Sequence, residues 1–164
     1  MKYLFRKIFL VTALMAMSAA AVAQEVPSIF SYTVLKLPFD HRNEEPWSKI
    51  IHSQEEWELF YSELLDDNLA ESNAVNFITP QIDFETFQLI TGGIGFRPSG
   101  AYSVSVGKVI ELSDVIHIEV FVISPGKNCV VTADVAYPST TILIRKTDKP
   151  IQFSSSQLIF ECPL

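Results

Sequence analysis

Positive charge is the first thing this sequence is short of. It has 12 Lys and Arg against 19 Asp and Glu, a formal net charge of −7. Three of the basic residues, Lys2, Arg6 and Lys7, sit within the first seven positions. The densest basic grouping elsewhere is Arg145-Lys146 with Lys149. A nucleic-acid binder needs a basic footprint to neutralise phosphates, so nucleic acid is not expected as a partner. Long apolar runs are scarce as well. The one that stands out, Ile8 to about Ala16, is too short for a membrane-spanning helix. Cysteine is limited to Cys129 and Cys162 and histidine to His41, His52 and His117. They show neither C-x-x-C spacing nor ligand-like spacing, and no metal or other cofactor is expected. G-x-S-x-G, H-E-x-x-H and a phosphate-binding glycine loop are missing too. Thr91-Gly92-Gly93-Ile94-Gly95 follows a strand pattern without opening a helix, so it lacks the dipole that would hold a phosphate.

What is present begins with an address. A positive start, the apolar run and Ala21-Val22-Ala23 form the three parts of a secretory signal, with cleavage expected before Gln24. Neither cysteine lies where a lipid anchor would need one. The expectation is a signal peptide over 1–23 and one domain over 24–164, periplasmic or secreted, without membrane span or lipid anchor. In an oxidising compartment an even pair of cysteines reads as a disulfide, Cys129 with Cys162.

Ile29 to Leu37 has strand character and Pro38 ends it. A charged connection runs from Asp40 to Pro46, and Trp47 to His52 predicts a short strand. Ser53 with Glu56 three residues on is a capping box, with Glu55 and Glu58 adding negative charge at the helix start. Trp57, Phe60, Tyr61, Leu64 and Leu65 then recur at helical spacing, which predicts an amphipathic helix fading near Asp66-Asp67-Asn68. Glu71 to Pro80 reads as a loop. Strands are expected over Phe84 to Ile90, Tyr102 to Ile110, Val115 to Ile123, Cys129 to Tyr137, Thr140 to Lys146 and Leu158 to Phe160. Ile116, Ile118, Val120 and Val122 alternate with His117, Glu119 and Phe121, so one face should be buried. Ser113-Asp114 and Ser124-Pro125-Gly126 read as turns. The fold expected is α+β: a mainly antiparallel sheet or sandwich with one N-terminal amphipathic helix packed on it. Parallel β-α-β units are not expected, because no helices alternate with the later strands.

The stretch Gly95-Phe96-Arg97-Pro98-Ser99-Gly100-Ala101-Tyr102-Ser103 resembles the glycine, arginine, proline and tyrosine-serine segment of the PrcB C-terminal domain family. The resemblance extends to Glu56-Trp57, Asp83-Phe84-Glu85, Pro125-Gly126 and Ala136-Tyr137-Pro138, roughly Ser53 to Lys146. It departs at Ala101, where the family usually has a second glycine, and at Val135 to Pro138, where threonine–serine–proline is commoner. If that glycine serves a positive backbone dihedral, Ala101 should be strained. The family takes its name from an accessory, non-peptidase subunit of a bacterial surface protease complex. The resemblance therefore implies a non-catalytic, protein-binding accessory domain whose partner is another exported protein, by analogy a protease. Gly95, Arg97, Pro98, Ser99, Gly100 and Tyr102 form the candidate binding loop, since Arg and Tyr are over-represented at binding hot spots. A second expectation is a secreted peptidase inhibitor, because Thr91-Gly92-Gly93 and Arg97-Pro98 also resemble parts of chagasin-type motifs. In those inhibitors the motifs lie on separate loops. Here they share one.

Overall fold

The computed structural model describes residues 27–69 and 78–162. The expected signal segment, its cleavage site and most of the expected 71–80 loop lie outside the described residues. Eight strands and one helix follow in order: β1 (Ser28–Ile29), β2 (Tyr32–Leu35), β3 (Trp47–Ile51), α1 (Gln54–Leu69), β4 (Phe87–Gly93), β5 (Ser103–Glu111), β6 (Ile116–Pro125), β7 (Ser139–Arg145) and β8 (Ile151–Phe160). They form two four-stranded sheets, ordered β1-β5-β6-β8 and β2-β7-β4-β3, with α1 packed on the second. The class is α+β, a sandwich with one helix outside it.

The helix starts where the capping box places it. Ser53 Oγ accepts from the Glu56 amide at 3.1 Å, and Glu56 Oε2 accepts in return from the His52 amide at 2.8 Å. Trp57, Phe60, Tyr61 and Leu64 are buried against Ile51 and Leu89, with Trp47, Leu35 and Leu143 around them. The Trp57 indole N–H donates to the Pro80 carbonyl at 2.9 Å, so the largest buried side chain leaves no polar atom unmet. The β2-β7-β4-β3 sheet is thus a middle layer covered on both faces. Leu89 faces the helix while Ile90, Ile142 and Ile144 face the other sheet. Coverage on both sides explains the run of buried residues from Gln88 to Thr91 in β4, where no alternation is visible. Thr91 and Thr141, directly opposite in register, join their buried hydroxyls at 2.7 Å.

In the other sheet the alternation of β6 appears as read. Ile116 and Ile118 are buried, and His117 and Glu119 lie half-buried on the outer face. His117 is held by Ser154, its Nε2 lying 2.9 Å from that hydroxyl. β5 and β6 pair antiparallel through the turn between them, with one extra residue in β5 between Val106 and Val109. That bulge contains Gly107, where a Cβ would stand 2.5 Å from the Phe121 ring.

Four expectations are corrected. The strand read from Ile29 to Leu37 is two short strands in different sheets, because the chain crosses between layers at Phe30 and Ser31. The strand read from Phe84 starts at Phe87, since Asp83 accepts from the Glu85 and Thr86 amides and turns the chain there. Cys129 to Tyr137 forms no strand; it crosses between the sheets and touches extended structure through one bridge, Ala136 to Arg97. The last strand is ten residues long and pairs parallel with β6 throughout. A parallel pair needs a crossover, and here β7 of the opposite sheet supplies it in place of a helix.

Candidate functional site

The predicted loop joins β4 to β5 and is fixed by backbone contacts on two sides. The Ile94 amide donates to the Pro138 carbonyl at 3.1 Å, and the Phe96 amide to the Glu44 carbonyl at 3.0 Å. Arg97 exchanges both backbone hydrogen bonds with Ala136, at 2.8 and 3.0 Å. Gly95 has φ of +75°, and a Cβ there would run into the Glu44 carbonyl oxygen. Ala101 carries no such strain, because no described residue other than glycine has positive φ. Ser99 is buried and turns the loop, its Oγ accepting from the Ala101 amide at 3.1 Å. Pro98 and Gly100 are exposed, while Arg97 and Tyr102 are half-buried.

The Arg97 guanidinium donates to the Phe96 carbonyl at 2.6 Å and lies 6.0 Å from the centre of the Tyr102 ring. The ion pairs among the described residues are His41–Asp67 and Lys149–Glu111, and Arg97 is in neither. Behind it, Phe96 packs edge-on to Tyr137, whose hydroxyl donates to Glu44 at 3.3 Å. Loss of water around the phenol, then the neighbouring Glu44 carboxylate, raises Tyr137 above the ordinary tyrosine range.

Sequence reasoning missed what lies beneath the loop. A cleft of about 500 Å³ opens between the two sheets, within the usual range for ligand sites. One wall is Val104, Val106, Ile118, Val120 and Val122; the other includes Ile90, Gly92 and Ile142. Pro46 to Ser48 and Phe153 to Ser155 border it, so it opens between the edge strands β3 and β8, and Arg97 is the one titratable residue in its lining. The inward-facing valines here are only half-buried, whereas Val109 and Ile116 deeper in the same layer are fully buried. The signal was in the sequence: Val104 and Val106 directly follow the loop. Which sheet they would face was not.

Thr91-Gly92-Gly93 does not belong to the loop. It lies within β4, paired on both sides with β3 and β7. Cys129 and Cys162 have their sulfur atoms bonded at 2.08 Å, which ties the end of β8 to the 126–138 crossing. Among the described residues no three His, Cys, Asp or Glu side chains gather closely enough to hold a metal ion. No helix among them is long and apolar enough to cross a membrane.

Residues 89–145 match the family model described as PrcB C-terminal. The match spans β4 from Leu89, the Gly95–Tyr102 loop, β5, β6 with Pro125 as its last residue rather than in a turn, the Gly126–Cys129 turn and β7. It leaves out α1, β8 and the Asp83-Phe84-Glu85 element that the broader resemblance includes. No curated protein and no solved structure matches the chain.

Proposed function

We propose that this chain, which carries the PrcB C-terminal family pattern over residues 89–145, is an exported, non-catalytic accessory domain that binds another exported protein. The family is of accessory type, and a protease complex is the assembly its founding name suggests for the partner. Support for binding rather than turnover comes from one arrangement. The Arg97 guanidinium is held by the Phe96 carbonyl at the mouth of an apolar cleft, beside Tyr102, and among the described residues no carboxylate pairs with it. A pre-ordered cation and aromatic over apolar surface suit a binding hot spot, since little side-chain freedom is left to lose on contact. The inhibitor reading is disfavoured, because Thr91-Gly92-Gly93 is committed to the middle of a sheet and cannot be presented to a peptidase.

The test is capture of partners from an exported-protein fraction by the purified chain, beside an Arg97→Ala/Tyr102→Ala variant that melts at the same temperature. A partner kept by the parent and lost by the variant is the expected result. Equal capture by both would remove the loop from the site. Turnover of any substrate, or stoichiometric inhibition of a peptidase, would overturn the non-catalytic reading.

A further inference from the structure

The two edges of the sandwich are built differently. On one, β1 and β2 are successive pieces of a single chain segment that passes from sheet to sheet and seals the gap with Phe30 and Tyr32. On the other, β3 and β8 end their sheets, and no described element closes the cleft between them. Free sheet edges are normally blunted by charge, proline or brevity. β8 has none of these: its ten residues contain no charged residue and no proline. Phe153, Leu158, Ile159 and Phe160 on it are exposed.

We infer that this unclosed edge takes an extended segment of the partner protein, which pairs with β8, directs alternate apolar side chains into the cleft and sets a carboxylate against Arg97. The inference rests on the protein-binding reading above and identifies the kind of segment bound. A strand meets all three features together. Its backbone satisfies the open row of β8 amides and carbonyls, its period of two matches a cleft on one face only, and its carboxylate completes Arg97. An acyl chain would fill the aliphatic walls yet leave the β8 edge without partners. A second copy joined edge to edge through β8 would bring no carboxylate to Arg97, because β8 carries none.

The experiment uses the isotope-labelled protein and a synthetic peptide alternating valine and threonine, with lysines at its start and a free C-terminal carboxylate. Saturable shifts of Val104, Val120 and Val122, with new exchange protection along 151–160, are expected. Amidating the peptide's C-terminus, or Arg97→Gln, should weaken binding by about tenfold or more, since a charge-assisted contact is lost. Val122→Phe, which fills the cleft, and Ser155→Lys, which charges the edge, should each abolish it, with unchanged melting as the check on folding. Shifts with oleate but none with the peptide would overturn the inference in favour of a lipid pocket. Peptide binding without β8 protection would overturn it as well, as would β8 protection that grows with protein concentration when no peptide is present. The complete absence of peptide binding would do the same. Partner capture that survives Val122→Phe but not Arg97→Ala/Tyr102→Ala would keep the binding function and sink the strand.

Discussion

The closed and open edges of the sandwich use the same residue types to opposite ends. At the closed edge the Tyr32 hydroxyl lies 3.0 and 2.9 Å from the Val106 and Gly107 carbonyls, holding the bulge that bends β5 over the core. Val109, Ile116 and Ile118 beneath it are buried to 1% exposure or less. At the open edge Val104, Val120 and Val122 have the same chemistry and inward direction, yet they line a gap. The difference lies in what covers them. The N-terminal segment contributes a strand to each sheet at one side, and no described element does so at the other. Packing is therefore complete where the chain crosses layers and incomplete where it does not, which separates the part that stabilises the fold from the part left as a cleft.

Three measurements would break or sharpen that contrast. The open edge has the disulfide as its staple, so Cys129→Ser/Cys162→Ser should cost about 3–4 kcal/mol on the chain-entropy account. Urea unfolding should show the loss, and hydrogen exchange should show β8 opening before β6. Next, Ile116→Ala at the closed end should cost about 3 kcal/mol, while Val122→Ala in the cleft should cost about 1 kcal/mol or less. Equal midpoint shifts for the two would show that the cleft is closed in solution. Tyr32→Phe should cost about 1 kcal/mol, because a part-buried pair of bulge carbonyls loses its donor. A change within error would mean water replaces the hydroxyl and the edge is less sealed than it looks.

The smallest effect expected lies away from both edges, in the turn before β4. The side-chain hydrogen bond from Thr86 holds Asp83 below its ordinary value against an opposing loss of hydration, and the Thr86 and Glu85 amides add to the lowering. A carboxyl depressed in the folded state contributes stability above its unfolded value near pH 4 and loses it as pH falls through the folded one. Asp83→Asn should therefore lower the neutral plateau slightly, flatten the acid limb below about pH 4, and bring the two stability curves together at the lowest pH. A slope identical to the parent's would remove Asp83 from the acid transition.

Much of the middle of the chain was legible because its signals are local. Ser53 and Glu56 cap a helix through contacts three or four residues apart, and the period of Trp57, Phe60, Tyr61 and Leu64 selects one face. The alternation from Ile116 to Val122 did the same for β6. The misreadings fall where a distant partner decides. Ile29 to Leu37 reads as continuous strand because nothing local tells residues that they change sheets. Ile151 to Phe160 reads as strand only at its end, since Ser154 to Ser156 have weak strand preference and owe their extension to parallel pairing with β6. Thr91-Gly92-Gly93 looks like a loop because glycine usually marks one, yet β3 and β7 on either side hold it in the sheet.

The candidate site divides along the same line. Its loop was visible as glycine, proline and serine around Arg97, whose backbone preferences act within a few residues. The cleft was not, because it is a gap between two sheets whose walls come from strands far apart in the chain. Sequence alone determined the helix with its cap, the strand character of the second half, the turn chemistry of the loop and the acidity of the chain. Each of these follows from side-chain and backbone preferences over one or two turns. Tertiary structure decided the layer each strand joined, the parallel direction of β8 and the edge left open, because long-range pairing and burial override local preference wherever a segment has more than one sheet to join.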